Sequence, residues 1–552
     1  MADGLDVTLS VLAKTQNEAA VRLLLGALDA PDREVQVGAL RALLARRSVT
    51  GQRELLGRWH TLSKRWKKIV ADSSGRLSSA IRDALLGPEE QLHRNACDAV
   101  LTLAEYDAIP ALITAAEDNA NPQAEHSAET LLLLADALCD ALAAPRDYQN
   151  RRDPHVVHTH AVAALEQSVG RFDHHQRQEI VEAFLLLAGH TNAGLHHLLE
   201  RPHHKAYVTL IHLLSHSHRL GVMRLILDSL DDPRTPSVMY GILARRKDVS
   251  FVRHMLKRFT DEVPKTAQNN LKRIESFGWL RDDMNLLSAL NGEEQRGAIH
   301  LIMASGMNRL RVFEVVDFLL SHGAEEGRRE AANALTEFRG EQASACVIRA
   351  LEDDDPIVRA TAVRQLRERG TRGAMTTLLD LIDSPHEAVR EAARESLAEF
   401  TFERFLATFG TLDDETLAET GHIVNRVDLN ALEGLRNELK SPIRVRRIRA
   451  IQMAVAMTAV SEVESLVIDQ LYDEDHVIRA ATAEALIQSP SAASRQALRN
   501  VILDRSQIVR DAAERTLQAF AEADSFPQPA PVSLPWDPSG TLPALETGEA
   551  AT

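Results

Sequence analysis

Arg328, Arg359 and Arg390 stand 31 residues apart, and two other residue types keep the same step: Ala331, Ala362 and Ala393, then Leu335, Leu366 and Leu397. The trio returns as Arg479, Ala483 or Thr482, and Leu486, and 31 residues later as Arg510, Ala513 and Leu517. A fixed period of this length marks one supersecondary unit copied along the chain. So short a unit cannot bury its apolar stripe alone, so its copies must stack. Four units read LEDDDPIVRATAVRQL from Leu351, LIDSPHEAVREAARESL, LYDEDHVIRAATAEAL and ILDRSQIVRDAAERTL. Two earlier segments follow the plan with a substitution at the arginine, Gln36 in ALDAPDREVQVGALRALL and His158 in DPHVVHTHAVAAL.

Each unit reads as helix, tight turn, helix. Asp355 or Ser384 is placed to cap the second helix through its side-chain oxygen. Pro356 and Pro385 follow at the first helical position, where a missing N–H costs nothing. Ser384 and Glu387 have capping-box spacing. Apolar residues then recur at steps of four, as in Val358, Ala362 and Leu366. Composition agrees: 45% of the 552 residues are hydrophobic but only 4% aromatic, which disfavours sheets and favours Ala/Leu-rich helices.

The units resemble HEAT repeats, particularly the short bacterial kind also seen in phycobilisome lyase-type proteins. The resemblance covers about 328–400 and 440–520 well, 18–45 and 85–170 fairly, and 200–325 weakly. It implies an all-α fold, a right-handed α-α superhelix of HEAT/ARM type, with roughly 12–14 helical pairs at the usual repeat length. It also implies a ladder between successive repeats, formed by a turn aspartate and a second-helix arginine. The matching positions are Asp353, Asp383, Asp473 and Asp504 with Arg359, Arg390, Arg479 and Arg510.

The expected organisation is a cap or flexible start over 1–18, repeats over 19–200, degenerate helical repeats over 201–325, repeats over 326–520, and a tail over 521–552. The tail holds Pro527, Pro529, Pro531, Pro535, Pro538 and Pro543 of the chain's 20 prolines, with Trp536 among them, and such composition cannot continue a helix. The loop PRDYQNRRDP, with Tyr148, Arg151 and Arg152, is the longest inserted connection of the N-terminal half.

Charge and cysteine usage narrow the function. Acidic residues number 79 and basic ones 63, a net charge of −16, which opposes non-specific attraction to nucleic acid or anionic lipid. Cys97, Cys139 and Cys346 show no metal or CxxC spacing. Buried thiols are expected at Cys97 and Cys139, and a reducing, cytoplasmic location fits. The first 20 residues lack the basic start and apolar run of a signal peptide. The apolar stretch 131–144 is interrupted by Asp136 and Asp140, too short for a transmembrane segment.

Three basic stretches are candidate partner-binding faces. RWHTLSKRWKKIV carries Lys64, Arg65, Lys67 and Lys68, with Trp59 and Trp66 seven apart and expected on one helix face. RRKDVSFVRHMLKRF carries Arg245, Arg246, Lys247, Arg253, Lys257 and Arg258. SPIRVRRIR carries Arg444, Arg446 and Arg447. Thirteen of the 22 histidines fall between His155 and His218, and His212 and His216 have i, i+4 spacing, but no carboxylate or cysteine completes a ligand set. No metal, cofactor or catalytic site is assigned, and GxSxG and Walker motifs are absent. The leading expectation is a non-enzymatic scaffold or adaptor that binds protein partners along a concave face. The alternatives are nucleic-acid binding by the basic faces and, from the resemblance alone, a lyase-like enzyme.

Overall fold

The cap-and-turn chemistry of the repeat recurs at helix after helix. Asp355 Oδ1 accepts the Ile357 amide at 2.9 Å and starts helix Pro356–Leu366. Asp475 does the same for helix His476–Ala485, accepting from Val477 at 2.7 Å, and Asp153 for helix Pro154–Gly170. Each cap satisfies one of the free amides of a first turn. Ser384 departs from this plan. Helix Glu387–Ser396 starts three residues after it, with His386 at the N-cap, so Ser384 and Glu387 form no capping box. The register explains it. Counted back from the helix arginine, Asp355 lies four residues before Arg359, and the equivalent position before Arg390 is His386.

The computed structural model describes residues 2–73, 77–145, 153–261, 263–281 and 284–525. They form 34 α-helices and seven short 3-10 turns, with no strand among the described residues. The chain divides into two compact units, Met1–Phe338 and Arg339–Thr552. The start is helical from Ala2 to Lys14. At the other end, helix Gln507–Ser525 runs past the expected boundary at 521, because AEADS contains good helix formers and no proline. Residues 526–552, with Trp536 and the prolines, lie outside the described residues, as do Tyr148, Arg151 and Arg152.

Within the first unit, one row of helices runs Glu90–Leu103, Ala124–Ala143, Gln178–Leu187, Leu220–Asp228, Val249–Arg258, Gly292–Ala304 and Glu325–Ala334, each packed on the next. The row passes through 201–325, where the repeat motif fades. In the second unit Pro356–Leu366 packs on Glu387–Ser396, and Asp414–Val427, Arg444–Ala456, His476–Ala485 and Gln507–Ser525 pack in succession. The repeated alanines stand at the close approaches: Ala362, Ala393, Ala483 and Ala513 are each no more than 1% exposed. Leu366, Leu397 and Leu486 fill the layer between pairs, each burial contributing roughly 1.5–3 kcal/mol. No described helix is long and apolar enough to cross a membrane.

Candidate functional site

The repeat arginines act first on their own turns. Arg390, Arg447, Arg479 and Arg510 each donate from Nη1 to the carbonyl six residues earlier, on Ser384, Ser441, Asp473 and Asp504, at 2.7–3.0 Å. Gln36, in the arginine position of its unit, makes the same bond to Ala30 at 2.7 Å. These bonds satisfy turn carbonyls that the helix cannot reach.

Two of the arginines also reach the next repeat. Arg447 Nε donates to Asp473 Oδ2 at 2.9 Å. Arg479 grips Asp504 with two bonds, 2.9 and 3.0 Å long, in the bidentate geometry that suits guanidinium and carboxylate. The Arg479 hydrogen bond holds the Asp504 carboxyl below its ordinary range. Asp473 and Asp504 in addition accept the amide two residues on, at 2.9 and 2.7 Å. Each aspartate therefore shapes its turn and receives the preceding arginine.

The structure does not bring Arg359 to Asp383. Asp383 accepts from Arg426 at 2.6 Å, and the buried Nε of Arg359 has no hydrogen-bond partner among the described residues. Asp473 and Asp504 stand six residues before their arginines, as does Asp353, but Asp383 stands seven before Arg390. Ser384 holds the equivalent place and has no carboxylate to offer. Arg447, read from sequence as part of a basic face, belongs instead to the series of connecting arginines.

The second basic stretch is largely engaged within the fold. The Arg246 side chain is 1% exposed. It donates to Asp248 at 2.9 and 3.1 Å, to Leu214 O at 3.1 Å and to Ser217 O at 2.8 Å, and lies over the Phe251 ring. Burial pushes the Asp248 carboxyl up, but the Arg246 bonds and charge outweigh it and hold the group below its ordinary value. Arg258 pairs with Asp228 at 2.8 Å and Asp231 at 2.5 Å. Arg253 and Lys257 both approach the buried Glu294, each at 3.9 Å. Arg245 and Lys247 are exposed beside His216 and His218, around a concavity of about 490 Å³.

The third stretch follows suit. Arg444 pairs with Asp475, Arg446 with Glu438 through two bonds, and Arg447 with Asp473.

The first stretch divides. Trp59 sits in a 3-10 turn, Trp59–Thr61, and Trp66 in the helix Lys64–Ala71. Extended backbone at Leu62 and Ser63 separates them, so they do not share a helix face. Trp59 is fully buried, its indole N–H donating to Asp98 at 2.8 Å. Lys67 donates to the same Asp98 oxygen at 2.6 Å and lies over the Trp59 ring. Lys64, Arg65 and Lys68 remain exposed and Trp66 partly so.

Several histidines of the rich segment bond the protein's own backbone or stack on one another. His158 Nε2 bonds Leu187 O, His196 Nε2 bonds His190 O, and His216 stacks on His212 with ring centroids 4.6 Å apart. No group of three or more metal-ligating side chains assembles among the described residues. Cys97 and Cys346 are buried and Cys139 is partly exposed. Burial pushes the Cys97 thiol up to about 11.

Two residues escaped the sequence reading, Arg33 and Arg41. With Val37 they recur at steps of four on helix Arg33–Arg46, hence on one face. Flanking Asp32 and Glu34 made the stretch look neutral. Asp32, however, is the helix cap, accepting the Glu34 and Val35 amides.

The family model for HEAT repeats matches residues 314–398. No curated protein matches the chain. The crystal structure of Kap121p overlaps 94% of this chain and 53% of its own length, at 12% sequence identity and a TM-score of 0.25. The chain thus spans about half of that protein, and so loose an overlap supports no inference. Residues 314–398 are thus similar to HEAT repeats, and the arginine-bearing turns and helical pairs outside that stretch follow the same plan.

Proposed function

We propose that this chain is a non-enzymatic scaffold that binds protein partners on the faces of its helical repeats. The observation that carries the reading is the engagement of most of the second and third basic stretches by the protein's own carboxylates: Arg246, Arg258, Arg444, Arg446 and Arg447 all lie in ion pairs. A nucleic-acid-binding array needs many cations available to phosphates, and the net charge of −16 opposes it further. The lyase-like alternative has only the resemblance behind it. Three free cysteines, two of them buried, support a reducing, cytoplasmic setting.

The test is affinity purification of the full chain from its native host at about 150 mM salt, with and without nuclease. A protein partner in fixed stoichiometry that survives nuclease supports the scaffold. Loss of every partner on nuclease treatment would overturn it. So would submicromolar DNA or RNA binding that weakens with log salt at about −0.9 per phosphate contact.

A further inference from the structure

Three exposed cationic side chains, Arg33, Arg41 and Arg65, gather around one concavity of the first unit. None of them has an ion-pair partner within 4.0 Å among the described residues. Helix Arg33–Arg46 packs between Ala2–Lys14 and Lys64–Ala71 and brings them together. The concavity they line measures about 610 Å³, and its apolar lining is Leu5 and Val37. Gly38 lies in the same lining, and a Cβ there would stand 2.4 Å from Leu9 Cδ1. The missing side chain lets the first helix approach closely. One residue on from Arg65, Trp66 lines a second concavity of about 520 Å³ with Leu28 and Leu62. The Arg58–Asp29 pair, at 3.0 Å, stands beside it.

We propose that this face docks an acidic peptide segment of a partner protein, with carboxylates on Arg33, Arg41 and Arg65 and apolar side chains against Leu5, Val37 and Trp66. The proposal deepens the scaffold reading and rests on it. Charge complementarity names the occupant: unpaired guanidinium groups in an acidic chain suit carboxylates, which they hold in a two-bond fork. The apolar lining favours a peptide over a phosphodiester. Asp6 and Glu34 line the same concavity. They repel a continuous phosphate backbone, whereas discrete carboxylates can be spaced to avoid them.

The test uses the full chain and a fluorescent peptide of alternating glutamates and leucines. Its glutamine counterpart and a single-stranded oligonucleotide are competitors, and binding is read by anisotropy. The glutamate peptide should bind and the glutamine peptide should not. The triple variant R33E/R41E/R65E should weaken binding by about tenfold or more, and R33Q/R41Q/R65Q by less. Reversing Arg499 and Arg505, in the other unit, should leave it unchanged. Helical signal and melting temperature confirm folding of each variant, and the glutamine set decides if the glutamate set misfolds. Equal binding of both peptides, indifference to both triple sets, or displacement by the oligonucleotide at lower concentration overturns the proposal. Retention of a natural partner by the triple variant also overturns it and leaves the scaffold standing. Absence of any partner on the unmodified chain overturns the scaffold itself.

Discussion

The turns at Arg479 and Arg359 share a motif and differ in one acceptor. Arg479 reaches a carboxylate on the following turn and makes four hydrogen bonds with its side chain 6% exposed. For Arg359 the same place on the following turn holds Ser384, and its buried Nε has no hydrogen-bond partner among the described residues. Repeats of one sequence family are thus not braced equally. What joins successive repeats is a side-chain pair 25 residues apart, and one residue of register decides whether it forms.

The largest expected effect breaks the stronger connection. Arg479→Ala removes the guanidinium from the Asp504 carboxylate, which keeps the Ser506 amide, and from two turn carbonyls, a loss of about 3 kcal/mol. Arg359→Ala should cost about 1 kcal/mol, since no partner carboxylate is left behind. Urea unfolding of the two variants checks the order, and equal losses would erase the distinction between the two turns.

A smaller effect runs the other way. Ser384→Asp places a carboxylate where Arg359 can reach it, at the sequence separation of Arg479 and Asp504. It should stabilise the chain by about 1 kcal/mol. The gain should vanish in the Arg359→Ala background, a double-mutant cycle that no general effect of added charge would reproduce.

The smallest effect contrasts arginine with a titratable connector. In the first unit His300 Nδ1 donates to Phe259 O at 2.8 Å while Nε2 faces Glu330 at 3.2 Å. It thereby joins helices Gly292–Ala304 and Glu325–Ala334 to the end of Val249–Arg258. The Glu330 hydrogen bond raises the His300 pKa above its ordinary 6.5, and the His300 bond lowers that of Glu330 below 4.5. The histidine contribution is full below 6.5 and lost as pH rises through the raised value. The glutamate contribution is full above 4.5 and lost as pH falls through the lowered one. The pair therefore stabilises most between 4.5 and 6.5, by about 1 kcal/mol or less. Melting temperature against pH should show this window in the unmodified chain and not in His300→Ala. The Arg479 connection should not fade on the alkaline side, because guanidinium stays charged.

Much of the fold was legible in the chain. The 31-residue period, the cap at Asp355 and the Ala and Leu positions are local signals, acting within a few residues, and they determined where helices start and which side they bury, although Ser384, read as a second such cap, does not cap its helix. The candidate site was legible only in part. Lys64, Arg65, Trp66 and Lys68 were visible as a basic helix. Arg33 and Arg41 were masked by neighbouring acids, one of which caps the helix. Tertiary structure alone decided that Arg246 is buried, that Trp59 belongs to Asp98, and that Arg446 and Arg447 are paired. The physical reason is range. Caps and helical periodicity depend on neighbours in sequence, whereas most of these partners come from other helices. Arg447 reaches 26 residues and Trp59 39 to its carboxylate, so whether a charge faces water or a carboxylate depends on how helices stack.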